Sequence, residues 1–155
     1  IFENVKAAKP DATDEEVTEA LRLAQCGDIL DKFTEREHTL IGSHGVHLSG
    51  GEIQRIAIAR VILKNAKVVI LDEASAAADP ENEFEIQKAF SNLMKGKTVI
   101  MIAHRLSSIR GADEILVVEN GRIIERGSDG ELMAAGGKYK TLQDLYAKAN
   151  DWRVA

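Results

Sequence analysis

A chain of 155 residues with 45% apolar and 29% charged residues is long enough for one hydrophobic core, and nothing in its composition suggests a second domain. Its 20 basic and 25 acidic residues leave a net charge of -5, which argues against a nucleic-acid binder that works by neutralising phosphates. The single cysteine, Cys26, reads as a small buried residue in a reducing compartment; no apolar run reaches the roughly 20 residues that a bilayer requires and no secretory leader is read, so any membrane role is expected to be indirect.

Taken in order, Ile1 to Val5 reads as a connector or a turn of helix, ended by Pro10-Asp11-Ala12-Thr13. Thr13 with Glu16 has the form of a capping box, and Val17, Ala20, Leu21 and Ala24 form one apolar stripe, so a surface helix is predicted over Asp14 to Cys26 with Gly27 beyond it. Asp28 is expected to cap a short helix containing Ile29, Leu30 and Phe33. Gly42, Ser43, His44 and Gly45 then form a loop that enters Leu48-Ser49-Gly50-Gly51-Glu52. Ser49 followed three residues later by Glu52 is again a capping box, and a helix is expected here with Ile53, Ile56, Ala57 and Val61 on it and Arg55 and Arg60 rising from it. Its free N–H groups, its dipole and the missing Cβ atoms suit a phosphate. A glycine-rich turn that only caps a helix is the plain alternative.

Val68-Val69-Ile70-Leu71 is wholly apolar and reads as a strand covered on both faces, delivering Asp72-Glu73 at its C-terminal end. Ligand sites of open parallel sheets lie at that end. One carboxylate there suits Mg²⁺ and its neighbour suits a water, unless the pair only caps the next turn. Pro80 favours a helix start, with Ile86, Ala89, Phe90 and Leu93 as the buried stripe. Gly96-Lys97-Thr98 imitates the tail of a phosphate loop, but Ser91 stands where a glycine is needed, so it reads as a helix-to-strand turn. Thr98 to Ile102 is a second buried-type strand and leads to His104. Leu106 and Ile109 suggest a short helix, Glu114 to Glu119 a strand, Asn120-Gly121 a two-residue hairpin turn, and Arg122 to Glu125 the returning strand. Helices are expected over Glu131 to Ala135 and Tyr139 to Ala147, while Trp152 is left open between packing and a free terminus.

Together these pieces resemble ATP-binding cassette (ABC) ATPases. Leu48-Ser49-Gly50-Gly51-Glu52 is similar to their signature motif, Val68 to Asp72 with Glu73 to their Walker B strand and catalytic glutamate, Ser75 to Asp79 to their D-loop, and His104 to their switch histidine. The resemblance spans nearly the whole chain; Ile1-Phe2-Glu3-Asn4-Val5, the Gly42 and Gly45 pair and Asn120 to Gly127 are most similar to the exporter branch. It implies an α/β fold with a P-loop NTPase-like parallel sheet core flanked by helices. Residues 1–64 would form a helical signature lobe, and 65–155 part of the RecA-like core with the C-terminal segment. The family's phosphate loop, adenine-stacking aromatic and glutamine-bearing loop precede the point that resembles Ile1, and no G-x-x-x-x-G-K-[ST] occurs here. The chain therefore reads as the later part of a nucleotide-binding domain, an incomplete domain.

The resemblance further implies ATP sandwiched between two such domains. Ser49, Gly50, Gly51 and Glu52 would contact it, Asp72 would serve Mg²⁺, Glu73 the attacking water and His104 the terminal phosphate, with Ala76, Ala77 and Asp79 at the dimer interface. Glu52 stands where glutamine is commoner and adds negative charge near a polyphosphate, Ala76 lacks a hydroxyl for a cross-subunit hydrogen bond, and Leu40 and Ser43 stand where many exporters carry glutamates. The implied partners are a second nucleotide-binding domain and a transmembrane domain at the cytoplasmic face of a membrane. The chain alone is expected to bind ATP weakly at best, to lack appreciable ATPase activity and to self-associate. The alternative from another class is a non-catalytic interaction module offering its signature face to a complete ATPase. A Rossmann-type dinucleotide enzyme ranks third, because no G-x-G-x-x-G follows a predicted strand.

Overall fold

Three helices begin where a serine or threonine is followed three residues later by glutamate, and all three starts are reciprocal capping boxes: Thr13 with Glu16, Ser49 with Glu52 and Ser128 with Glu131. Each satisfies two of the N–H groups that a helix start leaves unpaired. The computed structural model describes residues 1–43, 45–72, 80–103 and 106–151. They form a mixed α/β fold, small sheets flanked by helices, of the kind seen in P-loop NTPase-like domains. Contacts divide the chain into two units, Ile1–Ile100 and Met101–Ala155.

The first unit runs through α1 (Phe2–Lys6), α2 (Asp14–Leu23), α3 (Gly27–Leu30), a 3₁₀ turn at Arg36–His38, α4 (Gly50–Lys64), β1 (Val68–Asp72), α5 (Pro80–Met94) and β2 (Thr98–Ile102), the last strand crossing the division. The stripe expected on α2 is buried: Val17, Ala20, Leu21 and Ala24 pack with Ile56, Ala59 and Leu63 of α4 and with Ile86, Ala89, Phe90 and Leu93 of α5. The helix ends earlier than the sequence suggests. Gln25 takes the left-handed conformation (φ 57°), its N–H reaches the Arg22 carbonyl at 3.1 Å and the Cys26 N–H reaches the Leu21 carbonyl at 3.0 Å. This is a Schellman closure with glutamine in the place usually held by glycine. Cys26 follows it into the core, and burial pushes its thiol up to about 12. A thiol so placed stays protonated and unreactive near neutral pH.

Two expectations require correction. On α4, Ile53 is 56% exposed and Ala57 is exposed, whereas Arg55 is buried with Ile56, Ile58, Ala59 and Leu63. Apolar residues occur all round this helix, so its sequence fixes the buried face poorly. The strands β1 and β2 are hydrogen-bonded neighbours, with α5 between them in the chain. They are covered on one face only: Val69 is buried, but Val68, Ile70 and Ile100 are 54%, 67% and 52% exposed.

The second unit holds the antiparallel pair β3 (Ile115–Glu119) and β4 (Arg122–Gly127), α6 (Asp129–Ala135) and α7 (Lys138–Asp151), after a 3₁₀ turn at Leu106–Ile109. Asn120 (φ 49°) and Gly121 (φ 74°) both have positive φ, as the hairpin turn read from the sequence requires. Ile115, Val117, Leu132 and Tyr139 form its core. Glu125 of β4 caps α7, its carboxylate accepting the N–H groups of Lys138 (2.5 Å) and Tyr139 (2.9 Å). Among the described residues no helix is long and apolar enough to cross a membrane.

Candidate functional site

The start of α4 is built by its own sequence and by three side chains from elsewhere. Ser49 Oγ accepts the Glu52 N–H (3.3 Å) and Glu52 Oε2 accepts the Ser49 N–H (2.7 Å). The carboxylate of Glu52 is turned inward, buried, and its other oxygen takes the Lys32 ammonium at 2.5 Å. Ser49 and Gly50 are exposed, and a Cβ at Gly50 would meet nothing within 4 Å. An anion approaching this helix end therefore finds open backbone at the positive end of a 15-residue helix. The negative charge expected from Glu52 is balanced by Lys32.

One turn on, Arg55 is 1% exposed and holds three elements together. Its Nη1 and Nη2 donate to Asp28 Oδ1 (2.6 Å) and Oδ2 (2.9 Å), Nη1 also to the Gln25 carbonyl (2.6 Å), and Nη2 to Asn82 Oδ1 (2.9 Å). Asp28, expected as a helix cap, instead sits in the first turn of α3 and spends its carboxylate on Arg55. Sequence reading missed this cluster. The available signal is that Arg55 shares a helix face with Gly51, Ile58 and Ala59, where a cation needs a partner.

Burial alone would push the Asp28 and Glu52 carboxyls up; the Arg55 guanidinium, and for Glu52 the Lys32 ammonium and the Ser49 N–H, outweigh it and hold both below the ordinary carboxylate range. A carboxyl lowered on folding contributes stability that is fully present above its unfolded value, about pH 4, and is lost as pH falls through the folded one. The urea midpoint is accordingly expected to fall on acidification from pH 6 towards pH 3, with Glu52→Gln giving a flatter dependence. An identical pH profile for that variant would contradict the assignment.

Asp72 ends β1 and is exposed. Glu73, Ala76, Ala77, Asp79 and His104 lie outside the described residues, as do His44 and Trp152. No cluster able to hold a metal ion occurs among the described residues. A cleft of about 1000 Å³ opens beside Arg55, lined among others by Asp28, Lys32, Asn82, Phe84 and Lys88, but its walls include neither Ser49, Gly50 nor Asp72.

With this geometry in place, the class can be stated: the chain is an ABC-transporter nucleotide-binding-domain-like sequence, and the ABC transporter family profile matches residues 1–76. Over nearly its whole length it is related to the lipid-flippase and multidrug ABC exporters. It is 45% identical over 155 residues to an ATP-dependent lipid A-core flippase of Neisseria meningitidis, covering 100% of this chain and 25% of that protein. It is 49% identical over 148 residues to a Bacillus subtilis protein whose name assigns it to multidrug export as an ATP-binding/permease protein, covering 94% and 26%. To ABC transporter B family member 4 of Dictyostelium discoideum it is 47% identical over 142 residues, 92% of this chain and 18% of that one. The chain thus spans about a quarter or less of the length of these curated relatives.

Proposed function

We propose that this chain is part of the ATP-binding and hydrolysing domain that powers an ABC exporter. It would contribute the signature turn Ser49-Gly50-Gly51, the Walker B strand Val68 to Asp72 with Glu73, the D-loop at Ser75 to Asp79 and the switch histidine His104. The observation that carries the reading is the open, capped start of α4, where Gly50 presents bare backbone to solvent. Likeness to exporters over nearly the whole chain supports it.

The residues fit a nucleotide in a divided way. The start of α4 suits the phosphates of an ATP held mainly by a second nucleotide-binding domain, and Asp72, exposed where β1 ends, suits Mg²⁺. When bound, the metal neutralises charge on the phosphates. Glu73 orients and accepts a proton from the attacking water, and His104 contacts the terminal phosphate. Ala76, Ala77 and Asp79 would contribute to the interface with the second domain. A transmembrane domain is the other partner, which sets the parent at the cytoplasmic face of a membrane, and residues 1–64 and 65–155 fall into its signature lobe and its core.

In the full-length polypeptide, Glu73→Gln is expected to abolish ATP turnover while ATP binding persists, because the substitution keeps the shape and removes the base. Ser49→Arg is expected to abolish turnover by filling the phosphate's place. Ser49→Ala is a poorer probe, since loss of a cap alone costs about 1 kcal/mol. Steady-state rates that are unchanged in both Glu73→Gln and Ser49→Arg would overturn the reading and favour the non-catalytic interaction module.

A further inference from the structure

We propose that Asn82 is a positioning residue for the start of α4, and that Gly51 carries no side chain because Asn82 stands where one would be. The inference rests on the reading of Ser49-Gly50-Gly51 as phosphate-facing, and it names what holds that turn in place.

The two adjacent glycines have different surroundings. Gly50 is exposed, and a Cβ there would meet open space. Gly51 is buried, and a Cβ there would lie 2.9 Å from both Cβ and Cγ of Asn82 and 3.2 Å from its Oδ1, closer than carbon atoms pack. Glycine weakens a helix by about 1 kcal/mol relative to alanine, so its use in the first turn of α4 needs a reason. For Gly50 the open approach supplies one. For Gly51 the reason is α5.

Asn82 touches α4 at two points four residues apart. Its amide group lies against Gly51, and its Oδ1 accepts from Arg55 Nη2 at 2.9 Å. Arg55 is itself fixed by the two Asp28 oxygens and the Gln25 carbonyl, so Asn82 rests on an anchored partner. Two contacts on one helix face set both the distance and the rotation of the α4 start relative to α5. The free N–H groups of Gly50 and Gly51 are aimed by that seat. Asn82 lies in the first turn of α5, ten positions after Asp72, so the same contact ties the glycine turn to the chain that follows the acidic strand.

A double-mutant cycle between Gly51→Ala and Asn82→Gly tests this, because Asn82→Gly removes both atoms that an alanine at 51 would strike. The first readout is single-amide hydrogen exchange at Glu52, whose N–H is held by Ser49 Oγ, and at Ile53, whose N–H is held by the Ser49 carbonyl, relative to amides in the middle of α4, with the urea midpoint recording global stability. Gly51→Ala alone is expected to speed exchange in the first turn by about tenfold or more, and by less than about threefold when Asn82→Gly is present. Asn82→Asp, which keeps the volume and the Oδ1 acceptor, is expected to stay near the parent. Equal acceleration by Gly51→Ala in both backgrounds overturns the proposal. Should Gly51→Ala alone fail to fold, restored folding in the double variant is the same rescue, and a double variant that also fails overturns it. The second readout is ATP turnover by the full-length polypeptide, where Asn82→Gly is expected to raise KM severalfold more than it lowers kcat. Coupled exchange with an unmoved KM would sink the phosphate-facing reading while the packing of Asn82 on Gly51 stood.

Discussion

Asp28→Ala is expected to destabilise the chain by about 3–5 kcal/mol, more than the about 1–3 kcal/mol expected for Arg55→Met. The asymmetry follows from exposure. Arg55 is 1% exposed by side chain and Asp28 55%, although they form one bidentate pair. Removing the acid leaves a guanidinium that is 1% exposed in the folded chain without its charged partner, its Nε already lacking a hydrogen-bond partner and its remaining acceptors the neutral oxygens of Gln25 and Asn82. Removing the arginine leaves a carboxylate that can rehydrate, and methionine fills much of the vacated volume. Urea unfolding of the two variants beside the parent measures the difference, and a larger loss for Arg55→Met would refute the account.

The second large effect concerns association. Val68, Ile70 and Ile100 form an open apolar face on a sheet that has two strands among the described residues, which leaves strand edges unpaired among them as well. Surfaces of this kind bury themselves against whatever is available, and in a solution of this chain that is another copy. The apparent mass is expected to rise with concentration, and the double variant Ile70→Lys with Ile100→Lys is expected to remain monomeric over the same range. Light scattering at several concentrations decides: a parent chain that stays monomeric throughout excludes the face as an adhesive surface.

What could be read from the sequence was what is settled within a few residues. Thr13-to-Glu16 and Ser49-to-Glu52 announce helix starts because both partners lie within one turn, and Asn120-Gly121 announces a hairpin because those residues tolerate positive φ. Ser128 with Glu131 carries the same signal, yet reading the helix from Glu131 overlooked the cap that starts it at Asp129. Misreadings arose where distant chain decides. Whether Val68 and Ile70 are covered depends on what lies over the sheet, which a run of apolar residues does not specify. The pairing of Arg55 with Asp28 spans 27 positions, and the helix face that calls for a partner does not say which residue supplies it. At the candidate site the glycine turn and Asp72 are described where the spacing put them, at a helix start and a strand end. The roles given to Glu73, His104, Ala76, Ala77 and Asp79 rest on resemblance.

The opening turn of α4 also acts as a ruler. Ser49 fixes where the helix starts, Gly51 fixes where it meets α5, and Arg55 fixes where it meets α3. Each added or deleted residue between Ser49 and Arg55 would turn the arginine by about 100° and shift it by about 1.5 Å along the axis. That is enough to carry its guanidinium away from Asp28 and bring a different residue against Asn82. Substitutions on the outer side of this stretch, at Ile53 for example, keep the phase and leave these contacts untouched, whereas a change of length by a single residue breaks the contacts with α3 and α5 at once.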